Sequence, residues 1–165
     1  MRVSTWKFGL RAVAAAAFAV LAIQGADARF GGPFAPLAGI WLGSGTLTMP
    51  GGAQERIRCR ATYLVALRGD ALRQRLLCAS DSYQVDLQSD VIEQGGEVSG
   101  NWTETTLGAS GILRGVVRGP VIRGVISGSG LTAYLLLITR GRTQSVSIQL
   151  QGSDFAGVFV IFHKE

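Results

Sequence analysis

Apolar and polar residues alternate one by one through most of the chain after residue 37. In the run "RIRCRATYLV" (56–65), apolar side chains occupy every odd position, and arginines and a threonine occupy most of the even ones. A period of two is typical of a β-strand with one buried face. Runs of this kind are separated by turn residues throughout. The pattern predicts ten strands, at about 38–48, 55–66, 71–80, 82–91, 97–105, 111–117, 121–128, 131–139, 143–151 and 155–162.

Many short strands at regular spacing, with no helical periodicity among them, predict an all-β fold. We expect an antiparallel up-and-down β-barrel of about 8–10 strands, preceded by a signal-peptide helix. Glycines recur inside the strands of 111–130. They are typical of the sharp bends that close a small barrel, and a backbone surface approached by a ligand is the alternative.

The first 28 residues have the organisation of a secretory signal. Basic residues precede an apolar run over 12–23, and Ala26 and Ala28 form a small-x-small cleavage pattern. We expect cleavage near Ala28 and a periplasmic or secreted product. The predicted organisation is a signal peptide (1–28), a lead-in segment rich in proline and glycine (29–36) and a single barrel domain (37–165).

Charge and hydropathy narrow the classes of partner. Loss of residues 1–28 lowers the net charge from +5 to about +3, which is too mild to indicate nucleic-acid binding. No apolar run reaches the roughly 20 residues of a transmembrane helix. We therefore expect no nucleic acid, no transmembrane helix and a monomer.

The two cysteines lie on one predicted hairpin. If Arg68 and Gly69 form its turn, Cys59 lies directly opposite Cys78. Opposed residues of an antiparallel pair come close enough for a disulfide, and an exported protein is oxidised. We predict a Cys59–Cys78 disulfide, and two buried free thiols are the alternative.

A second hairpin is predicted around a turn at Gln94 and Gly95. This register places Leu87 opposite Trp102 and Val85 opposite Glu104. Val91 would lie opposite Val98 in the same register.

Glu104 is an acid in phase with Trp102, on the apolar face of its strand. A buried carboxylate needs a partner, and such groups are frequent at functional sites. Arg114 or Arg123 could pair with it. The alternative is a hydrated position at the barrel rim.

Trp41 stands among glycines in "LAGIWLGSG" (37–45). The glycines allow the strand to bend, and the ring can fill the closed end of a barrel. Gly39, Ile40 and Trp41 resemble the G-x-W motif of lipocalins and related calycin barrels, and the longer stretch resembles the L-x-G-x-W-x-G-x-G opening of nitrobindin-like haem-binding barrels. The lipocalin resemblance implies a barrel around a small apolar ligand, with a late arginine packed over the tryptophan. Arg140 is the nearest candidate for that arginine.

Candidate chemistry is sparse. His163 is the single histidine and both cysteines are expected to be oxidised, so the sequence predicts no catalytic residues, no metal site, no cofactor and no enzyme. The nitrobindin resemblance keeps one alternative open, in which His163 ligates haem iron. The candidate ligand-binding residues are Trp41, Tyr63, Leu87, Trp102 and Glu104.

Five arginines share the polar face of the disulfide hairpin: Arg56, Arg58, Arg60, Arg73 and Arg75. Such a basic face could meet an anionic envelope component such as lipid headgroups, lipopolysaccharide or peptidoglycan. It could equally be a hydrated surface without a partner.

The leading functional hypothesis is an exported calycin-like barrel that binds or carries a small apolar molecule. One alternative is an envelope structural or interaction protein with an interior filled by side chains and a basic outer face. A small barrel inserted in an outer membrane is another, because the alternation alone does not distinguish inside from outside.

Overall fold

The structure is a computed structural model and describes residues 31–165. Ten antiparallel strands follow a short 3₁₀ helix at Ala35–Leu37. The strands are Gly39–Thr48 (β1), Gln54–Val65 (β2), Ala71–Ala79 (β3), Gln84–Gln94 (β4), Glu97–Glu104 (β5), Ala109–Arg118 (β6), Val121–Gly128 (β7), Leu131–Arg140 (β8), Thr143–Gln151 (β9) and Gly157–Lys164 (β10). The predicted signal peptide and the first two residues of the lead-in lie outside the described residues.

Each strand pairs with the next along the chain, and β1 pairs with β10 to close the barrel. The all-β, antiparallel up-and-down barrel predicted from the alternation is therefore confirmed. Closure leaves no unpaired sheet edge, which removes the usual site of edge-to-edge aggregation. Within residues 31–165, no helix is long and apolar enough to cross a membrane.

The disulfide hairpin has the predicted register. Cys59 lies opposite Cys78 in the β2–β3 pairing, and the two sulfurs are bonded. Both side chains point into the barrel, on the same face as Ile57 and Tyr63.

The observed register of the β4–β5 hairpin differs from the predicted register by two residues. Its turn is Gly95 and Gly96, with φ angles of 62° and 89°, so Leu87 lies opposite Glu104 and Trp102 lies opposite Ser89. Positive φ at both central residues is the tight hairpin turn that suits the twist of the strands, and two glycines adopt it without a steric cost. The shift by an even number leaves every predicted face unchanged.

Gly43 and Gly45 show why small residues surround Trp41. A Cβ atom on Gly43 would lie 2.5 Å from Cδ1 of Phe162, and one on Gly45 would overlap the carbonyl oxygen of Phe159 on β10. Gly111, on β6, would meet a carbonyl oxygen of β7 in the same way. These glycines let neighbouring strands approach closely, which favours the structural interpretation of the glycine pattern.

Candidate ligand site

The two ends of the barrel are filled differently. We call the end that carries the turns at 66–70, 95–96, 119–120 and 141–142 the closed end, and the opposite end, with the connections at 49–53, 80–83, 105–108, 129–130 and 152–156, the open end. At the closed end the lead-in segment packs into the barrel, where Phe34 and Trp41 are 0% exposed. Backbone hydrogen bonds from Gly32 to Arg68 and from Phe34 to Gly69 hold this segment in place.

Leu47 and Ile57 near the open end are buried, whereas six other inward leucine and isoleucine side chains of the open half are only half-buried. They come from neighbouring strands around the barrel: Leu76, Leu87, Leu113, Ile126, Leu135 and Ile148. The open half is less completely buried at these six positions than the closed half is at Phe34 and Trp41.

Trp41 belongs to the packed half. Its indole Nε1 donates a hydrogen bond of 2.7 Å to the carbonyl oxygen of Leu37. The cation over its ring is Lys164, with Nζ 5.6 Å from the ring centroid. Arg140, the expected candidate, is exposed at the end of β8, because the register of β10 brings Lys164 opposite Trp41.

Tyr63 also belongs to the packed half, in a short buried polar chain. Its hydroxyl donates to Oε1 of Gln144 at 3.0 Å, and Nε2 of Gln144 donates to Oγ1 of Thr139 at 3.3 Å. Gln144 is 0% exposed, so each of its polar ends needs a partner. Burial raises the pKa of the Tyr63 phenol, although the hydrogen bond to Gln144 opposes the change.

This raised pKa predicts a loss of stability in alkali. Above the ordinary tyrosine pKa of 10.0, the unfolded chain releases the Tyr63 proton while the folded chain keeps it. The free energy of unfolding should then fall by up to about 1.4 kcal/mol per pH unit. We expect Tyr63→Phe to reduce this slope, and Tyr134→Phe, at an exposed position, to leave it unchanged. Urea unfolding between pH 8 and 11 measures both, and equal slopes in wild type and Tyr63→Phe would contradict the assignment.

Leu87 and Trp102 face the open half. Trp102 also belongs to a row of three neighbouring side chains that carry polar groups. Gln74, Ser89 and Trp102 are cross-strand neighbours on β3, β4 and β5. The hydroxyl of Ser89 donates to Oε1 of Gln74 at 3.1 Å. Trp102 is 7% exposed, and within residues 31–165 its Nε1 has no hydrogen-bond partner.

Glu104 closes a loop at the open end. It is 6% exposed, and its carboxylate accepts hydrogen bonds from the backbone N–H groups of Asp86, Thr106 and Leu107. Burial alone would raise the pKa of Glu104, but these donors outweigh it and the pKa is lowered.

The expected partners of Glu104 were wrong. Arg114 and Arg123 point outward, because they alternate with the inward residues of β6 and β7. A hydrated rim position was also wrong, since Glu104 lies at the rim but is buried beneath its own loop.

A second carboxylate, Glu55, also faces inward at the open end, where it lies opposite Leu47. Hydrogen bonds with Ser80 and Ser82 of the β3–β4 connection lower the pKa of Glu55. Two ionised carboxylates therefore stand at this end of the barrel at neutral pH.

The five arginines of the basic face point outward from β2 and β3, as expected from the alternation. Three of them are in ion pairs: Arg73 with Asp90 at 2.8 Å, Arg75 with Asp86 at 3.0 Å, and Arg60 with Glu165 at 3.5 Å. Exposed pairs of this kind contribute little stability, but they neutralise much of the charge. Arg56 and Arg58 have no ion pair within the described residues.

His163 lies on the outer face of β10, exposed and opposite Leu42. It cannot reach the barrel interior from there. Within residues 31–165, no three histidine, cysteine, aspartate or glutamate side chains gather as a metal site would require.

Sequence reasoning missed Phe34 and Gln144. Phe34 lies in a segment interpreted as a lead-in, and Gln144 occupies an apolar phase on β9. The position of Gln144, two residues before Val146, indicates that it lies on the inward face of β9. Phe34 carried no periodic signal, because it precedes the first strand.

The fold of the barrel is similar to that of a solved structure, although no sequence family matches. No family model matches the chain, and no curated protein matches it. Among solved structures, the S-type phycobiliprotein lyase CPES from Guillardia theta superposes with a TM-score of 0.59. The two chains share a fold. The superposition covers 80% of this chain and 90% of the lyase, and at 7% sequence identity the likeness is one of fold alone.

Proposed function

We propose that this chain is an exported calycin-like barrel that binds or carries a small apolar ligand in its open half. The observation that carries the proposal is the contrast between the two halves. The closed half is packed like a protein core, whereas six inward leucine and isoleucine side chains of the open half remain partly accessible. Barrels of this size can hold one small ligand when side chains do not fill them.

Two further observations support this function. Export is supported by the signal-like residues 1–28 and by a disulfide, which persists in oxidising compartments. The chain also shares its fold with a protein named as a phycobiliprotein lyase. A pocket lined by apolar side chains with few polar groups is the ordinary form of a small-molecule site.

An outer-membrane barrel would differ from this one in its interior. Such barrels carry an apolar band outside and a polar interior. Here the buried cluster inside is apolar, and the outside combines the arginines and aspartates of β2–β4 with exposed apolar residues such as Ile112, Val125 and Phe159. We expect recovery of the processed chain by osmotic shock without detergent, and a band that needs detergent and changes mobility on heating would contradict this.

Filling the open half should abolish ligand binding. Leu113→Trp places a large ring inside the barrel, whereas Ile112→Trp places the same ring on the outside of the same strand. We expect N-phenyl-1-naphthylamine to bind wild type and Ile112→Trp with similar affinity. Its affinity for Leu113→Trp should fall at least about tenfold, although overpacking costs roughly 1–3 kcal/mol of stability.

Fluorescence titration of the probe measures these affinities, and circular dichroism checks that both variants are folded. Two results would contradict the proposal. One is a wild-type protein that does not bind the probe. The other is a folded Leu113→Trp variant that binds as well as Ile112→Trp, because the probe would then lie outside the barrel.

A further inference from the structure

The indole N–H of Trp102 is a buried hydrogen-bond donor without an acceptor. Trp102 is 7% exposed, and its Nε1 has no partner within the described residues. Unpaired buried donors are rare and cost free energy that an acceptor would recover. The other inward indole makes the contrast clear, since Nε1 of Trp41 is bonded to Leu37. The unpaired donor is therefore specific to the open half.

The side chains beside Trp102 offer a further hydrogen-bond donor. Oε1 of Gln74 already accepts the hydroxyl of Ser89, so the free end of the Gln74 amide is its NH₂ group, which donates. An indole N–H only donates as well. A ligand group that complements this row must bring an acceptor, and a carbonyl oxygen is the simplest one.

The charges of the open half select against an anion. Glu55 and Glu104 both face inward there, and the carboxylate of Glu104 is held by three backbone donors. The inward cation of the described strands, Lys164, lies at the closed end over Trp41. A carboxylate ligand in the open half would meet two like charges and, among residues 31–165, no inward-facing cation.

We propose that the ligand is an uncharged apolar molecule with a carbonyl oxygen, and that this oxygen accepts the hydrogen bond from Nε1 of Trp102. This proposal rests on the proposed function and narrows the class of ligand to neutral ketones, esters or aldehydes with an apolar body. Trp102 positions the ligand by its carbonyl, while the accessible leucine and isoleucine side chains hold the rest. Because Nε1 is covered in the unliganded barrel, side chains beside it move when the ligand enters.

Three probes of equal chain length test this class: dodecane, 2-dodecanone and dodecanoate, each competing with N-phenyl-1-naphthylamine at pH 7. The affinity ratio of ketone to alkane is compared between wild type, Trp102→Phe and Trp41→Phe. Because every protein is tested with the same ligands, the hydration free energies of the free ligands cancel when the ratios are compared. We expect Trp102→Phe to lower the ratio by roughly tenfold, the effect of one hydrogen bond to a buried donor. Trp41→Phe should leave it unchanged, because its N–H is already paired.

A spectroscopic measurement on wild type covers the case in which Trp102→Phe does not fold. The ¹⁵N-labelled indole N–H resonance of Trp102 should move downfield with 2-dodecanone and stay near its free position with dodecane. An identical response to both probes would overturn the proposal.

The outcomes separate this inference from the proposed function. If dodecane and the ketone bind with the same ratio in wild type and Trp102→Phe, the carrier function stands and the carbonyl contact is wrong. If dodecanoate binds more tightly than 2-dodecanone, the neutral class is wrong. If neither the fluorescent probe nor any competitor binds, both proposals fail together.

Discussion

Replacing Trp41 with alanine is expected to lower the free energy of unfolding by about 3–5 kcal/mol. The side chain is 0% exposed and packs among Phe34, Leu37 and Phe162 at the closed end. Its removal leaves a cavity, breaks the hydrogen bond to Leu37 and removes the ring beneath Lys164. For a domain of this size, the melting temperature should fall by about 10–20 °C.

Leu42→Ala is the matched control, because Leu42 is the next residue on β1 and points outward with 44% exposure. It should change stability by less than about 1 kcal/mol. Thermal and urea unfolding of both variants give the comparison. Similar losses for Trp41→Ala and Leu42→Ala would mean that the closed end is not the packed half of the barrel.

Removal of the disulfide is the second large effect. Cys59 and Cys78 are 19 residues apart, and closing such a loop restricts the unfolded chain. We expect the double change Cys59→Ala and Cys78→Ala to lower stability by about 2–5 kcal/mol, and the melting temperature by ten degrees or so. Since Cys59 is 6% exposed, the bond should resist reductant until denaturant is added.

The pair Arg60→Ala and Leu77→Ala provides the control, since these residues are opposed on the same two strands but point outward. Their loss should have a much smaller effect. Peptide mapping without reductant identifies the bond directly. Free thiols at both positions, or dimers linked through either cysteine, would contradict the hairpin register.

Alternation and turn chemistry were sufficient to predict much of this fold. Cys59 and Cys78 fix a register, because a disulfide tolerates no slip between opposed residues, and the structure has that register. The β4–β5 register was missed because both Gln94-Gly95 and Gly95-Gly96 can form a two-residue turn, and either keeps the same faces inward.

The candidate site was less accessible to sequence reasoning. Alternation assigned the five candidate residues to the interior, where all of them lie, but it does not measure depth along the barrel. Trp41 and Tyr63 therefore belong to the packed half, and Leu87, Trp102 and Glu104 belong to the open one. Contacts between distant segments decide this division, such as Phe34 with the closed end, and no local pattern encodes them.

The division has a physical consequence for function. The closed half supplies buried apolar area, a paired polar chain and the aromatic ring of Trp41, all of which stabilise the fold. That stability allows the open half to leave leucine and isoleucine side chains accessible and one indole donor unpaired. Departures from full packing and pairing are typical of functional sites in proteins that are stable elsewhere.

Native mass spectrometry of the chain, purified without detergent from the cells that produce it, tests whether the open half holds a ligand. We expect a small noncovalent adduct of defined mass on wild type and on Ile112→Trp, and none on folded Leu113→Trp. An adduct retained equally by Leu113→Trp would place the ligand outside the barrel. Wild-type protein that is always bare and takes up no N-phenyl-1-naphthylamine would contradict the claim that the open half binds an apolar ligand.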